Sequence, residues 1–509
     1  MTLQEKKERR KLIFGGIILE AANAILFLSI WLMNTYDEVA IEQFIFHMKA
    51  SAAGTDSSIT ISAVTVIGGC SVLLTALEIF LYILLSGRGK KKLAESPRYL
   101  KYCSGKFCCF LYRKALPISL CLLIASSAVF LTRMKAFAYV GNIATKSDFF
   151  EENYADPATQ KLTFPEEKRN LIFIFLESLE NTYADPESAE IITDNLIPEL
   201  SKLADENINF SHNNGLGGAL SYSGSTWTAA ALVAQTAGIT VRAPLTAEKF
   251  DEENSFFPEI VTLGDILEKE GYNQTLLFGS DAQFASRDIY FTEHGNYNIV
   301  DLVSLRNEGR LPADYHEWWG FEDQKLFQFA KEEITKLADA DKPFNFTMLT
   351  ADTHFPDGYV CPLCEEEYEE QYSNVLSCSS KQIYAFIEWL SEQAFYENTT
   401  IILSGDHLTM DPDFLKTVDK DYVRTNYNCI INAAVEPVKE KNREFACFDI
   451  FPTTLAAMGV EIEDERLGLG VNLFSDKETL TEKYGYEFVN EELQKTSKYY
   501  MEKIYSQNR

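Results

Sequence analysis

The segment "NLIFIFLES", residues 170–178, decides the fold of this chain. After Asn170 it runs through six apolar residues without the alternation that a half-exposed strand shows. A short continuous apolar run is typical of a parallel strand that is covered on both faces. The run stops at Glu177 and Ser178, so the sequence predicts a carboxylate at the carboxyl end of a buried strand.

Further runs of the same kind recur along the chain, and amphipathic stretches separate them. The apolar runs are 274–278, 344–350, 399–403 and 428–435. The amphipathic stretches are 192–204, 259–270, 322–338 and 379–394. Alternating strands and helices predict right-handed crossovers and a mostly parallel sheet flanked by helices. The predicted fold class is therefore α/β.

Three long apolar stretches precede this pattern, at 12–33, about 60–86 and 115–132. Each is close to the ~20 residues that cross a bilayer. The alternative, buried helices of a soluble protein, would require three such runs to be covered within the first 133 residues. The sequence thus predicts an N-terminal membrane region (1–133) with three transmembrane helices, a polar connector (134–168) and an extracytoplasmic domain (169–509).

The basic residues predict the orientation of these spans. Lys and Arg cluster before the first span and between the second and third, whereas the loop between the first and second has only Lys49. By the positive-inside rule, the N-terminus and the second loop are cytoplasmic, which places the large domain outside. The formal net charge of −29 argues against a nucleic-acid partner, because such proteins carry basic surfaces.

Polar residues follow four of the predicted strands directly. In an open α/β sheet, ligands bind beyond the carboxyl ends of the strands. The residues at these ends include Glu177, Asp281, His354, Asp406 and His407. A single polar residue at a strand end ordinarily just meets water, but this convergence of carboxylates and imidazoles indicates a ligand site.

The residue types suit a divalent metal. Two carboxylates and one imidazole, from Glu177, Asp406 and His407, favour Mn²⁺, Zn²⁺ or Mg²⁺ and are too poor in sulfur for a structural zinc site. A hydroxyl nucleophile could supply the missing ligand. The Gly- and Ser-rich loop within 217–238 leads through Ser225 into an Ala-rich helical run, where free backbone N–H groups favour an anion. The alternative is that its Ser and Thr residues only cap the helix.

Five cysteines fall in the predicted outer domain, where disulfides persist. Cys429 and Cys447 have apolar neighbours and are predicted to be small core residues. A disulfide from Cys378 to Cys361 or Cys364 is the favoured interpretation. A zinc site at Cys361-x-x-Cys364 is the alternative, although the sequence offers no second ligand pair nearby.

Several motifs give the chain a family resemblance over residues 169–475. They are NLIFIFLES (170–178), LIPELSKLA (196–204), TLGDILEKEGYNQTLLFG (262–279), WWGFEDQKLF (318–327), SGDHLTM (404–410) and FDIFPTTLAAMGV (448–460). In this order they resemble the sulfatase-like phosphotransferases of the alkaline phosphatase superfamily. More narrowly, the chain resembles the membrane phosphoglycerol transferases related to lipoteichoic acid synthases. DTHFPDGYVC (352–361) and SCSS (377–380) resemble the enzymes that modify periplasmic glucans.

The resemblance implies a role for individual residues. Glu177, Asp406 and His407 would bind one divalent metal, with Mn²⁺ preferred over Zn²⁺ or Mg²⁺. Ser225 would be the nucleophile and a further metal ligand, although the family mostly has Thr there. Neighbouring Thr226 is therefore a competitor, and Thr228 a more distant one.

The same resemblance implies the substrate contacts. His354 would contact the substrate phosphate and act as acid or base, and Arg287 would bind substrate. The family's tryptophan near that arginine is replaced by Ala285. Asp281 and Asp357 are further candidates for substrate binding.

Taken together, the resemblance implies an enzyme in the bacterial inner membrane with its catalytic domain on the periplasmic side. It would transfer glycerol phosphate from phosphatidylglycerol to a hydroxyl of a glycan through a covalent Ser or Thr intermediate. One alternative is a phosphoethanolamine transferase, which uses another headgroup. Another is an inactive membrane-anchored binding protein, against which the complete set of site residues argues.

Overall fold

The computed structural model describes residues 3–36, 40–85, 106–242, 249–250 and 255–505. They form two compact units. One contains Met1–Ile41 and Asp56–Tyr139, and the other contains Glu42–Thr55 and Val140–Arg509. Residues 86–105 of the predicted basic loop between the second and third spans, which include Cys103, lie outside the described residues, as do the side chains of Cys108 and Cys109.

The N-terminal part of the chain is helical. Its helices are α1 (Leu3–Thr35), α2 (Ile41–Lys49), α3 (Ser57–Ala63), α4 (Ser71–Leu85), α5 (Lys106–Arg133), α6 (Ala136–Ala144) and α7 (Phe149–Asn153). A π-helical stretch, Val64–Cys70, joins α3 to α4. Among the described residues, three helical segments are long and apolar enough to cross a membrane, namely Arg10–Thr35, Ser57–Tyr82 and Lys114–Arg133.

Polar side chains within the first two of these segments pair with each other. Asn23 Nδ2 donates to Thr75 Oγ1 (2.9 Å) and Glu78 Oε2 (2.7 Å). Ser71 Oγ donates to Glu20 Oε1 over 2.8 Å. Because a polar group inside a bilayer is costly without a partner, these bonds satisfy the acidic residues and join α1 to α4.

The second unit is built around one six-stranded sheet in the order β4–β3–β5–β2–β6–β7. Its strands are β2 (Asn170–Leu176), β3 (Asn273–Phe278), β4 (Asn298–Val300), β5 (Phe344–Leu349), β6 (Thr399–Gly405) and β7 (Asn428–Ile431). All neighbours pair in parallel except β7, which runs antiparallel to β6 at the edge. Two small antiparallel pairs complete the strands, β1 (Leu162–Thr163) with β8 (Glu461–Ile462), and β9 (Arg466–Leu467) with β10 (Gly470–Val471). The α/β fold class with a mostly parallel sheet is confirmed.

Helices cover both faces of this sheet. They are α8 (Pro198–Glu206), α9 (Thr228–Ala237), α10 (Leu263–Lys269), α11 (Arg287–Glu293), α12 (Leu302–Asn307), α13 (Asp323–Ala338), α14 (Gln371–Ser391), α15 (Pro412–Leu415), α16 (Ile450–Ala457), α17 (Leu480–Tyr484) and α18 (Tyr486–Gln494). The predicted helix at 192–204 begins later because Pro198, which lacks an N–H to donate, takes the first helical position. The one predicted at 379–394 begins earlier, at Gln371.

The central strand β2 is buried along its whole length. Ile172, Ile174 and Leu176 lie in the core cluster that also contains residues of α8, α13 and α14. On the alternate positions, the rings of Phe173 and Phe175 stack with centroids 4.2 Å apart. Both faces of the strand are thus covered, which explains why its sequence does not alternate.

The end of β6 requires a glycine. A Cβ on Gly405 would lie 2.0 Å from the backbone oxygen of Leu179 and 3.1 Å from the nitrogen of Tyr427. Because both atoms belong to backbone, they cannot move aside as a flexible side chain could. Gly405 therefore allows the chain to pass close to its neighbours just before Asp406.

Replacing Gly405 by Ala should therefore destabilise the second unit by about 1–3 kcal/mol, the usual cost of overpacking. The matched control is Gly215→Ala, whose new Cβ would meet only Asn213 Oδ1, at 3.6 Å. Thermal unfolding of both purified variants measures the difference. An unchanged midpoint for Gly405→Ala would contradict the close approach.

Candidate metal centre

Two neighbouring strands bring the predicted metal ligands together. In the parallel pairing of β2 with β6, Leu176 lies opposite Gly405, so the next residues, Glu177 and Asp406, leave the sheet side by side. One ligand atom each from Glu177, Asp406 and His407 lies within 4.8 Å of the others, and all three residues are buried. The strand register, rather than proximity in sequence, creates this cluster.

Asp406 has one satisfied oxygen and one that points into the cluster. Its Oδ1 accepts hydrogen bonds from the backbone N–H groups of Ser178 (2.8 Å) and His407 (2.7 Å). Its buried Oδ2 has no hydrogen-bond partner among the described residues and lies 3.5 Å from His407 Nε2. Burial and the charge of Glu177 raise the pKa of Asp406. A cation would satisfy the orphaned oxygen and offset both charges.

The other two ligands are also oriented by their neighbours. His407 Nδ1 lies 2.8 Å from the carbonyl oxygen of Leu408. A carbonyl only accepts, so in the neutral ring Nδ1 carries the proton and the Nε2 lone pair faces the carboxylates. Ser178 Oγ donates to Glu177 Oε1 over 2.8 Å. These residues fit a divalent cation.

The structure brings Thr228, and not Ser225, to this cluster. Thr228 Oγ1 lies 3.2 Å from His407 Nε2 and 3.4 Å from Glu177 Oε2. Ser225 is buried in a turn, where its Oγ donates to the Tyr222 carbonyl (2.9 Å) and accepts from the Tyr222 N–H (3.2 Å). Its hydroxyl is therefore used in the turn that precedes the helix.

Thr228 is the first residue of α9, and Trp227 is the N-cap. The sequence contained a signal for this position, because the Ala-rich run that begins at Ala229 marks where the helix starts. The hydroxyl nearest to the free N–H groups of the first turn belongs to Thr228. Thr226 lies two residues before the helix and is half-buried.

His354 lies in an aromatic setting at the end of β5. Its ring centroid is 4.6 Å from that of Trp319 and 4.7 Å from that of Phe355. Its Nδ1 lies 2.6 Å from the Phe355 carbonyl oxygen, so the neutral ring carries its proton there and Nε2 keeps a lone pair. Burial lowers the pKa of His354 to about 4, which keeps the imidazole neutral at physiological pH.

Arg287 is buried and held by its own loop. Its Nη2 donates to Ser280 Oγ (2.9 Å) and to the Asp281 carbonyl (2.8 Å), while Nε donates to the Phe284 carbonyl (3.0 Å). Burial lowers the pKa of Arg287 to about 10, although the charges of Glu177 and Asp281 oppose this.

The two remaining predicted residues lie in turns. Asp281 Oδ1 accepts a hydrogen bond from the Gln283 N–H (2.9 Å). Asp357 is exposed, and its own N–H donates to Asp411 Oδ2 over 2.9 Å. Neither belongs to the Glu177 cluster, in contrast to Asp406 and His407.

The sequence did not predict that the segment Glu42–Thr55, which contains α2, packs against the loops around the site. The ring of Phe46 lies 5.6 Å from Trp227, beside the Thr228 loop, and Gln43 Nε2 lies 3.8 Å from Met410 Sδ, beside the His407 loop. Further along, the Ser51 carbonyl accepts from the Ala285 N–H over 3.0 Å. The segment thus contacts three loops that carry predicted site residues.

Comparison with known proteins agrees with the fold and the motifs. The sulfatase family model matches residues 169–460. Phosphoglycerol transferase I of Escherichia coli (strain 55989 / EAEC) is 32% identical over 277 residues, which are 53% of this chain and 34% of that protein. The Shigella flexneri protein of the same name is 31% identical over 327 residues, 63% of this chain and 40% of its own length. The chain spans well under half the length of these relatives.

A solved structure extends the likeness beyond the sulfatase-like region. The integral membrane protein lipooligosaccharide phosphoethanolamine transferase A (EptA) from Neisseria meningitidis aligns with a TM-score of 0.50 at 12% identity, and the alignment covers 88% of this chain and 84% of that one. At this identity the likeness is one of fold. The resemblance to the sulfatase-like transferases is confirmed by the family match and by the phosphoglycerol transferase relatives.

Removing one carboxylate should weaken metal binding sharply. Glu177→Gln should lower the affinity for Mn²⁺ by at least about 10-fold, since even the outer-shell partners of metal ligands contribute that much. Calorimetric titration of the purified full chain gives the affinity. His316→Ala, at an exposed histidine, is the control and should bind Mn²⁺ as the unaltered chain does. Equal affinity for Glu177→Gln would show that Mn²⁺ binds elsewhere.

Proposed function

Because the chain belongs to the sulfatase family, we propose that it is a membrane-anchored phosphoglycerol transferase. It would move glycerol phosphate from phosphatidylglycerol to a hydroxyl of an extracytoplasmic glycan. The observation that carries this proposal is the Thr228 hydroxyl at the start of α9, 3.2 Å from His407 Nε2 and 3.4 Å from Glu177 Oε2. The sequence similarity to phosphoglycerol transferase I supports the choice of transferred group.

We assign the nucleophile to Thr228 in place of Ser225. A bound divalent cation, preferably Mn²⁺, would lower the pKa of the Thr228 hydroxyl and offset charge on the phosphoryl oxygens. The Thr228 oxygen would then bond to phosphorus while the bond from phosphorus to the diacylglycerol oxygen breaks, and the proton lost by Thr228 would pass to that leaving oxygen. The free N–H groups at the start of α9 favour the negative charge that gathers there. Ser225 would instead hold the preceding turn.

His354 would act in the second half of the reaction. Its Nδ1–H is committed to the Phe355 carbonyl, and its lowered pKa keeps Nε2 unprotonated. Nε2 can therefore take the proton of the acceptor hydroxyl as that oxygen attacks phosphorus. The bond from phosphorus to Thr228 then breaks, and the proton taken up by His354 passes to the Thr228 oxygen, which restores the hydroxyl for the next donor.

Aromatic and basic side chains would hold the donor headgroup. Trp319 contacts both His354 and Phe284, with centroids 4.6 and 5.3 Å away. We propose that Trp319 borders the glycerol. It would take the place of the family's tryptophan, which Ala285 replaces in this chain. Arg287 would supply the positive charge that attracts the phosphate.

Membrane attachment agrees with a lipid donor. The three apolar helices indicate a membrane protein, and the distribution of Lys and Arg favours an inner-membrane location with the second unit on the outer side. An anchored enzyme remains at the surface where its donor's headgroup lies. The acceptor, which must present a hydroxyl, would come from the envelope on that side.

The nucleophile is tested by the mass of the enzyme itself. After incubation of the detergent-purified full chain with Mn²⁺ and phosphatidylglycerol, we expect one added glycerol phosphate, mapped by peptide analysis to Thr228. Thr228→Ala should abolish the adduct and the release of diacylglycerol, while the matched variant Ser225→Ala should retain both. An adduct on Ser225 or Thr226 would overturn the assignment. If neither adduct nor diacylglycerol forms, phosphatidylglycerol is the wrong donor, and phosphatidylethanolamine is the next to test.

The lowered pKa of His354 predicts the pH dependence. Protonation removes the Nε2 lone pair, so activity should fall as pH decreases through the pKa. Because that pKa is about 4, His354 should cause no fall in kcat/KM between pH 8 and about 5, a range that includes the ordinary histidine value of ~6.5. His354→Gln should lose about 10²–10⁴-fold in activity, while His316→Gln should not. An acid limb near pH 6.5 that disappears in His354→Gln would contradict the lowered pKa.

A further inference from the structure

A second cluster of potential metal ligands lies apart from the Glu177 cluster. Sulfur atoms of Cys361, Cys364 and Cys378 all lie within 4.8 Å of one another. Cys361 and Cys378 are buried, and Cys364 is half-buried. The first two cysteines follow β5 in the loop that begins at Asp352, and the third lies within α14. The C-x-x-C motif provides two sulfur ligands, and α14 thus supplies the third.

The spacing of the sulfurs matches that of a metal–thiolate centre. Cys361 Sγ lies 3.7 Å from Cys378 Sγ and 3.8 Å from Cys364 Sγ. In a tetrahedral zinc site with Zn–S bonds of ~2.3 Å, neighbouring sulfurs are about 3.8 Å apart. One Zn²⁺ could therefore contact all three with little movement of the side chains.

The surroundings also suit thiolates. Gln382 Nε2 lies 3.4 Å from Cys378 Sγ and 3.7 Å from Cys361 Sγ. Such N–H donors stabilise and orient sulfur ligands in metal sites.

We propose that Cys361, Cys364 and Cys378 form a zinc site with three protein ligands and a fourth position open to water. Soft thiolates favour Zn²⁺ over Mn²⁺ or Mg²⁺, so this site and the Glu177 cluster would take different cations. The half-buried Cys364 gives the open position access to solvent. The inference is independent of the proposed function, because it rests on the thiol cluster alone.

Zinc here would fix the loop that carries His354. That loop is already tied to α14, since Tyr372 Oη donates to the Thr353 carbonyl over 3.0 Å. Through the zinc ion, Cys378 of the same helix would also hold Cys361, which lies in this loop a short distance along the chain from His354. The site would therefore help to position this loop, and its loss should disturb the loop more than the Glu177 cluster.

Cobalt reports on this site without relying on activity. The reduced, metal-free full chain is titrated with Co²⁺, and the thiolate-to-cobalt charge-transfer band in the near ultraviolet is recorded. We expect about one thiolate-bound Co²⁺ per chain, which Zn²⁺ displaces. Glu177→Gln should give the same band, whereas Cys361→Ser should lose it. Cys364→Ser, a mild change at a half-buried position, should also weaken the band strongly.

The control is Cys121→Ser, which removes an exposed cysteine in α5 and should leave the band unchanged. In parallel, the unreduced protein is alkylated under denaturing conditions and mapped, and its zinc content is measured. Alkylation of all three cysteines, with about one zinc per chain, supports the proposal. Cys378 bridged to Cys361 or Cys364 would overturn it in favour of a disulfide. A missing cobalt band, or a band unaffected by Cys364→Ser, would overturn it as well.

Discussion

The mutual repulsion of Glu177 and Asp406 is the constraint on which the site depends. Both carboxylates are buried at adjacent strand ends, and one oxygen of Asp406 has no hydrogen-bond partner among the described residues. Two ionised carboxylates held this close and away from water are unstable unless a proton or a cation offsets them. Strand pairing fixes their separation, so the chain cannot relax by moving them apart. The fold therefore creates a strong local field that the Thr228 hydroxyl and His407 share.

Much of this arrangement could be predicted from the sequence, because strands constrain their ends. The unbroken apolar run of β2 indicated burial on both faces, and the carboxylate after it could only lie at the sheet edge. The same reasoning located Asp406, His407 and His354. Each of these residues follows a run whose length and composition are typical of a buried strand.

Loops and chain reversals were harder to predict. The loop proposed to carry the nucleophile contains several hydroxyls, and which one reaches the carboxylates depends on the residue at which α9 begins. The resemblance pointed to Ser225, which lies before the helix and whose hydroxyl is used in a turn with Tyr222. β7 is antiparallel, which the composition of a fully buried strand does not reveal. The contribution of Glu42–Thr55 comes from pairing over a long sequence separation, which local patterns do not encode.

The Glu42–Thr55 segment gives membrane attachment a second consequence. It follows one membrane-length helix and precedes another in sequence, yet it contacts the loops of Trp227, Met410 and Ala285. A soluble fragment that begins after the third span would lack these contacts. Its loops would keep Glu177 and Asp406 at the ends of β2 and β6 but lose packing beside Thr228 and at Ala285. The segment between the first two membrane-length helices is therefore part of the second unit's structure, and a fragment that lacks it is a poor test of the proposed function.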